Sequence, residues 1–273
     1  MSKSKIEWCE ATWNPVYGCT PISAGCKNCY AKEWHNRFKG GDFSVKIRAD
    51  KLVEPVKKKR PTRYFVGAMT DIFHKDVPCG FLLHIFYVMA ACPQHTFLIL
   101  TKRPERMKEF ISSFPILIYE IKKPDGTSGG TQTQKLPLPN VWLGVTAENQ
   151  EMADQRIPIL LDTPAAHRFV SVEPMLGPVD LTFPCQFEHE ENEGYGVEAL
   201  KGLDWVICGG ESGRNARPID PDWVLDLRYQ CAEVGTPFFF KQWGGKNKAK
   251  SGRLIDGVEV MEYPDGINVE VAE

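Results

Sequence analysis

Four cysteines, Cys9, Cys19, Cys26 and Cys29, fall within a stretch of 21 residues, and their spacing could do chemistry. Cys26 and Cys29 have two residues between them, the spacing at which neighbouring thiolates share one metal centre. Cys19 joins them across a six-residue loop bordered by Gly18 and Gly25. Three thiolates suit a [4Fe-4S] cluster with one iron left open, because a fully protein-ligated cube takes four. An open iron is where a substrate or cofactor can bind. With Cys9 as a fourth ligand, the set becomes a closed four-cysteine zinc site or an electron-transfer cluster. Unligated thiols are the remaining reading. Cys79, Cys92, Cys185, Cys208 and Cys231 are scattered and read mostly as small buried hydrophobes. Nine cysteines, an odd number, with no apolar signal core in M-S-K-S-K-I-E-W, fit a reducing compartment better than a disulfide framework.

Further reactive side chains gather behind short apolar runs. Thr70, Asp71 and His74 follow one run; Thr101, Lys102 and Arg103 end the next; Thr146, Glu148 and Asn149 end a third. Ser171 and Glu173, then Gly209, Gly210 and Glu211, then Lys241, Gln242 and Trp243 follow three more. In parallel α/β architectures the carboxyl ends of the strands face the site, so six polar ends in succession predict one shared pocket. G-G-E-S-G over 209–213 could let backbone N–H groups approach an anion. It lacks the spacing of both the dinucleotide fingerprint and the phosphate loop.

The elements that must position these groups are strands at 64–68, 96–100, 141–145, 168–172, 205–208 and 237–240. They are nearly continuous in apolar residues, as parallel strands covered on both faces are. A first strand is expected near 13–17. Helical patterns lie between them at 28–38, 80–91, 104–114, 150–161 and 221–234. Pro104 and Pro221 suit a helix's first turn and Gly235 a helix stop. This alternation predicts an α/β protein, a partial or complete barrel with a doubly wound open sheet as the alternative. Residues 1–243 form the barrel, and 244–273 a hairpin turning at Asp256 and Gly257 and packed against it. Two insertions interrupt the pattern. Residues 122–139, rich in Gly, Thr, Gln and Pro, predict a mobile loop. Residues 186–202, with Glu188, Glu190, Glu191, Glu193 and Glu198, predict a solvated excursion.

Composition narrows the function classes. The chain has 273 residues, 42% hydrophobic, enough for a sizeable core in one domain or two. Its net charge of -2 provides no global basic field, so nucleic-acid binding would need a local patch. Residues 45–63 carry eight basic side chains against two acidic ones, a pattern suited to phosphate. A solvated linker into the second strand is the plainer reading. On the first helix, Trp34, His35 and Arg37 could help cover the cysteine loop, with core packing the plainer reading for Trp34. The most apolar stretch, residues 81–91, is 11 long with His84 inside it, against roughly 20 for a membrane span. A soluble, cytoplasmic protein with no membrane role is expected.

Several strings are more specific. I-E-W-x-x-A-T-W-N-P-V-x-G-C and G-C-K-N-C-Y-A are followed by D-I-F-H-K-D-V-P, L-T-K-R-P-E-R-M and N-V-W-L-G-V-T. R-F-V-S-V-E-P-M-L-G-P-V-D-L, W-V-I-C-G-G-E-S-G-R-N-A-R-P and P-F-F-F-K-Q-W-G come after them. Together they resemble the phage-associated three-cysteine-motif family, regarded as radical S-adenosylmethionine (SAM) proteins, over nearly the whole chain. The resemblance implies a partial (β/α) barrel of the radical SAM type in which Cys19, Cys26 and Cys29 hold a [4Fe-4S] cluster. SAM would chelate the open iron through its amino and carboxylate groups. Reductive cleavage would then give a 5′-deoxyadenosyl radical that abstracts a substrate hydrogen, chemistry that belongs to the cofactor.

The same resemblance places Tyr30 near the adenine. It assigns the grip on SAM to Thr70, Asp71, Thr101, Lys102, Thr146, Glu148, Ser171 and Glu173, with Gly209, Gly210 and Glu211 as further candidates. Lys241, Gln242 and Asp71 are the candidates for catalysis. A flavodoxin- or ferredoxin-like reductant is the implied partner, in the cytoplasm of a bacterial or phage-infected cell. The phage association prompts a nucleic-acid or nucleotide substrate. A peptide-modifying radical enzyme and a non-enzymatic iron–sulfur or zinc module are the alternatives. This chain departs from the radical SAM pattern twice. It has six residues between the first two cysteines where most have three. Its G-G-E stands four strands after the position usual for that motif, where it has A-M-T-D instead.

Overall fold

Apolar runs without polar alternation need cover on both faces, and seven of them stand side by side. The computed structural model describes residues 4, 6–122, 128–182, 184–185, 197–265 and 267. The strands are β1 (Ala11–Trp13), β2 (Arg63–Val66), β3 (Thr96–Thr101), β4 (Val141–Thr146), β5 (His167–Val172), β6 (Trp205–Cys208) and β7 (Phe238–Phe240). They lie in chain order, and every neighbouring pair is parallel. The helices are α1 (Tyr30–Phe38), α2 (Cys79–Ala90), α3 (Pro104–Ser113), α4 (Gln150–Leu161) and α5 (Pro221–Val234). The sheet curls into a half-barrel. Pro104 and Pro221 open their helices, and Gly235 ends α5 in the left-handed conformation at φ 75°, as their types predict.

Period-two alternation divides each strand between two cores. Tyr64, Val66, Phe97, Ile99, Leu143, Val145, Val170, Val206 and Phe238 pack outward with the helices, among them Leu82, Phe86, Met107, Ile157 and Leu227. Phe65, Leu98, Trp142, Phe169, Trp205, Ile207 and Phe239 fill the concave face together with Trp8 and Cys9. Gly144 is required here, since a Cβ on it would lie 2.5 Å from the Phe169 ring.

The edge at β7 is covered. Residues 260–262 run antiparallel along it, with Phe240 N–H donating to Val260 O at 2.8 Å and Glu262 N–H to Phe238 O at 3.1 Å. The predicted hairpin is present: Leu254–Ile255 pairs with Val258–Glu259 through Asp256 (φ 51°) and Gly257 (φ 81°). Two left-handed residues in succession give the turn twist that suits a two-residue hairpin.

Several expectations need correction. The first strand is residues 11–13 rather than 13–17, because Pro15 has no N–H to continue a ladder. Val16–Tyr17 instead pairs antiparallel with Lys46–Ile47. The region read as a loop at 122–139 is largely a hairpin, Ile116–Lys122 against Ser128–Lys135, with 123–127 outside the described residues. Its T-Q-T-Q run places a β-branched Thr at every second position, which Gly and Gln content obscured. Most of the acidic excursion, 186–196, lies outside the described residues; Pro184–Cys185 and Val197–Glu198 pair across it. Cys92, Cys208 and Cys231 are buried as expected, whereas Cys79 is exposed. Trp34 is 44% exposed and not in the core; Ala31 and His35 are the residues α1 buries. Among the described residues, no helix is long and apolar enough to cross a membrane.

Candidate functional site

The loop between β1 and α1 carries Cys19, Cys26 and Cys29, all partly buried and all free thiols. Cys19 follows Gly18, whose φ of 89° and approach to the Ser44 carbonyl exclude any side chain. Cys29 is the residue before the first turn of α1 and packs with Cys19 against Tyr17, Ala31 and Phe43. Burial pushes the Cys19 thiol up, and the Arg103 guanidinium, 3.7 Å from its sulfur, works against this.

Three carboxylates fasten this loop to the ends of β2, β4 and β6, each with its own arginine. Asp71 accepts from Thr101 Oγ1 at 2.8 Å, Lys102 N–H at 3.1 Å and Arg103 at 2.8 Å. Arg103 then donates to Thr20 O at 2.9 Å. Glu148, fully buried, accepts from Ser23 Oγ, from Gly25 N–H at 3.1 Å and from Arg156 at 2.8 Å. Glu211 accepts from Asn28 Nδ2 at 2.8 Å and from three nitrogens of Arg217 at 2.5–2.9 Å. Arg217 also donates to Ala24 O at 3.0 Å. Burial alone would raise the Glu148 carboxyl, but Lys102, Ser23 and Arg156 together hold it below its ordinary value. Burial likewise opposes, and Arg217 and Asn28 outweigh it, at Glu211. Gly25 has a local reason: a Cβ on it would meet the Glu148 carboxyl at 2.9 Å.

Thr70 Oγ1 donates to Gly18 O at 2.6 Å, and His74 lies 2.7 Å from Thr20 Oγ1. Asp76 N–H donates to His74 Nδ1 at 3.1 Å, so the ring proton is on Nε2 and faces the threonine. Burial holds this imidazole below its usual pKa.

Beneath the loop, in the concave face, is a cavity of about 390 Å³. Cys29, Tyr30, Gly25 and Asn28 form its roof; Trp8, Phe65, Leu100 and Ile6 supply apolar wall. Lys102, Thr146, Ser171, Glu173, Gly210, Glu211, Lys241 and Gln242 supply the polar wall. Of the sequence-predicted residues, these eight, Tyr30 and Cys29 line the cavity. Thr70, Asp71, Thr101, Glu148 and Gly209 do not; they stand at the loop or behind the wall. Lys241 Nζ sits 2.6 Å from Glu173 Oε1, and Gln242 Nε2 donates to Ser212 Oγ at 2.8 Å. Tyr30 Oη donates to Ala68 O. Gly210 admits the chain after β7, since a Cβ there would lie 2.2 Å from Trp243 O. The glycines of G-G-E therefore have a packing role at the β6–β7 crossing.

Arg156, Arg217, Asn28 and Ser23 were not singled out for this site by the sequence, and Arg103 was named only as part of a polar strand end. Glu148–Arg156 and Glu211–Arg217, eight and six residues apart, were the available signal.

The donor set suits an iron–sulfur cluster. Among the described residues, no three His, Cys, Asp or Glu side chains converge as a single metal ion requires. Cys9 is engaged elsewhere, in the interior cluster, with its thiol 3.2 Å from Ser4 Oγ and pushed up to about 11 by burial. Ser171 Oγ is buried with no partner, and it borders the cavity, as a hydroxyl awaiting a ligand would.

The fold is shared with spore photoproduct lyase. A cysteine-to-serine variant of that enzyme matches at TM-score 0.50 and 10% identity, over 88% of this chain and 78% of the lyase chain. A tyrosine-to-phenylalanine variant matches equally, over 89% and 78%. The chain thus has the partial (β/α) barrel fold of that lyase. No match is found among curated protein sequences. Residues 3–264 match the family described as "Protein of unknown function (DUF5131)", and the chain belongs to that family.

Proposed function

We propose that this chain is a radical SAM enzyme acting on a nucleic acid or nucleotide. The observation that carries the reading is the three-cysteine loop, fastened by three arginine-paired carboxylates over a cavity with an unpartnered serine hydroxyl. Cys19, Cys26 and Cys29 are the residues that would hold a [4Fe-4S] cluster. When bound with SAM, that cluster supplies a 5′-deoxyadenosyl radical for hydrogen abstraction.

The chain's own contribution is position and exclusion. Asp71, Glu148 and Glu211 fix the loop, each neutralised by its arginine, so no net negative charge surrounds the thiolates. Lys102, Thr146 and Ser171 offer hydrogen bonds to the cofactor, and Tyr30 borders the adenine side. Trp8, Phe65 and Leu100 keep water from the reacting centre. Lys241, paired with Glu173, and Gln242 meet the substrate on the β7 side. A flavodoxin- or ferredoxin-like protein delivers the electron.

Two things support the substrate class. The lyase that shares the fold acts, by its name, on a spore photoproduct, and the three-cysteine motif resembles a phage-associated family. Anaerobic reconstitution tests the whole. Iron and sulfide near four per chain, an electron spin resonance spectrum shifted by SAM, and 5′-deoxyadenosine release with dithionite are expected. Zinc in place of iron, or a cluster indifferent to SAM, would overturn it.

A further inference from the structure

Helix α1 begins at the cavity and leads away from it. Tyr30 borders the cavity, and Trp34 and Phe38 follow at intervals of four residues, an axial step of about 6 Å each. Residues four apart share a helix face. All three rings are open to solvent or the cavity space, at 53%, 44% and 61%. The adjoining face, about 100° round the helix, is the packed one: Ala31 and His35 are buried, and His35 Nδ1 lies 3.0 Å from Tyr17 Oη. Trp34 and Phe38 touch each other, with centroids 5.3 Å apart, and both remain exposed. Two exposed rings in one row on a nine-residue helix cost hydration free energy, so packing does not account for them.

Cations flank the row. Arg37 is stacked 5.2 Å from the Phe38 centroid, and Lys39 lies 4.3 Å from that of Tyr17 and 5.9 Å from that of Trp34. Over residues 27–48 there are six basic side chains against Glu33 and Asp42, in a chain whose net charge is -2. Aromatic faces with interleaved cations are how single strands are held without sequence readout: bases stack, and phosphates meet the positive charge.

We propose that Trp34 and Phe38 form a stacking track for a single-stranded nucleic acid whose reacting nucleotide passes into the cavity and meets Lys241 and Gln242. The inference deepens the proposed function and rests on its reading of the cavity. An acidic redox protein is the rival occupant of a basic face. Its carboxylates would use the same cations as phosphates do, so the charge does not separate the two occupants, and the stacking surfaces must. The rings themselves are the larger unsatisfied feature, and they suit bases.

The test is fluorescence anisotropy of a 5′-fluorescein-labelled thymidine strand of about 12 nucleotides, at about 50 and about 200 mM KCl. Saturable binding that weakens at the higher salt is expected, with quenching of tryptophan emission. Trp34 is the one tryptophan among the exposed large hydrophobic residues described, while Trp8 lines the cavity, so the part of the quench that Trp34→Phe removes reports on this face. Trp34→Ala combined with Phe38→Ala should weaken binding roughly tenfold or more, and Trp34→Phe should keep most of it. Absence of saturable binding, or equal binding by the double variant, would overturn the proposal. So would a flavodoxin that binds the wild type, fails on the double variant and leaves strand binding untouched. Dithionite-driven 5′-deoxyadenosine release by the wild-type chain, without any strand, reports separately on the radical reading.

Discussion

The Lys241 ammonium and the Glu173 carboxylate meet 2.6 Å apart directly over Gly209, where a Cβ would come within 3.3 Å of Lys241 Cβ and 3.5 Å of the Glu173 carboxyl carbon. Glycine at the end of β6 therefore lets β5 and β7 join charges across the strand between them. Both side chains are at most one-fifth exposed, so removing one strands the other. Lys241→Met should destabilise the fold by roughly 3 kcal/mol, and Lys241→Met with Glu173→Gln by clearly less. Urea unfolding of the two variants measures the difference; equal losses would mean the pair is not coupled.

The loop tethers predict a separation of stability from loading. Gly25→Ala places a methyl against the Glu148 carboxyl and disturbs the hydrogen bond between them. The sheet, built elsewhere, should still form, so melting should change little. Iron bound per chain after anaerobic reconstitution should fall well below that of the wild type. Arg156→Met is the harsher change, because it leaves a fully buried carboxylate without its cation, at a cost of roughly 3–5 kcal/mol.

Cysteine substitutions should sort into two groups. Cys19→Ala, Cys26→Ala and Cys29→Ala should each cut iron content sharply, while Cys9→Ala should leave it near the wild-type value. Cys9, with its thiol pushed up to about 11, stays protonated and should resist iodoacetamide in the folded chain. Loss of iron in Cys9→Ala would favour a four-cysteine centre.

Acid sensitivity should come in two stages. His74 and His95 are both held below their usual pKa by burial, so the unfolded chain binds protons first. Stability is then full above about pH 6.5 and falls as pH drops below it, by at most about 1.4 kcal/mol per pH unit for each group. Glu148 and Glu211, also held low, add a second loss below about pH 4.3. Melting temperatures from pH 4 to 8 should show the first stage flattened in His74→Gln and further in the double variant with His95→Gln. A flat wild-type profile across pH 5–7 would contradict the buried neutral imidazoles.

Strand and helix positions were largely legible in the sequence, because parallel strands leave uninterrupted apolar runs and Pro104, Pro221 and Gly235 mark helix ends. The cavity's polar wall was legible for the same reason, since it is made of strand ends. What Asp71, Glu148 and Glu211 hold was not. Their arginines are chosen by tertiary approach, 32 residues away in one case, and no periodicity records that. Trp34 misled for a different reason: burial is the rule for tryptophan, and only the inward set by Ala31 and His35 shows which face of α1 is free. The 116–135 hairpin was missed because its second strand is polar throughout and owes its place to pairing alone.

Tyr263 Oη donates to Glu7 O at 3.3 Å, and Arg63 bridges the same seam, lying over the Tyr263 ring and donating to Trp8 O at 2.8 Å. The cavity floor, Ile6 and Trp8, is thus stitched to residues 256 positions away in sequence. Closing so long a loop carries one of the largest ordering penalties the chain can meet, and opening it returns that entropy. Synthesis must therefore run almost to residue 263 before the pocket has a bottom. A nascent or clipped molecule could assemble all five helices and still present its cysteines over a hollow open to water.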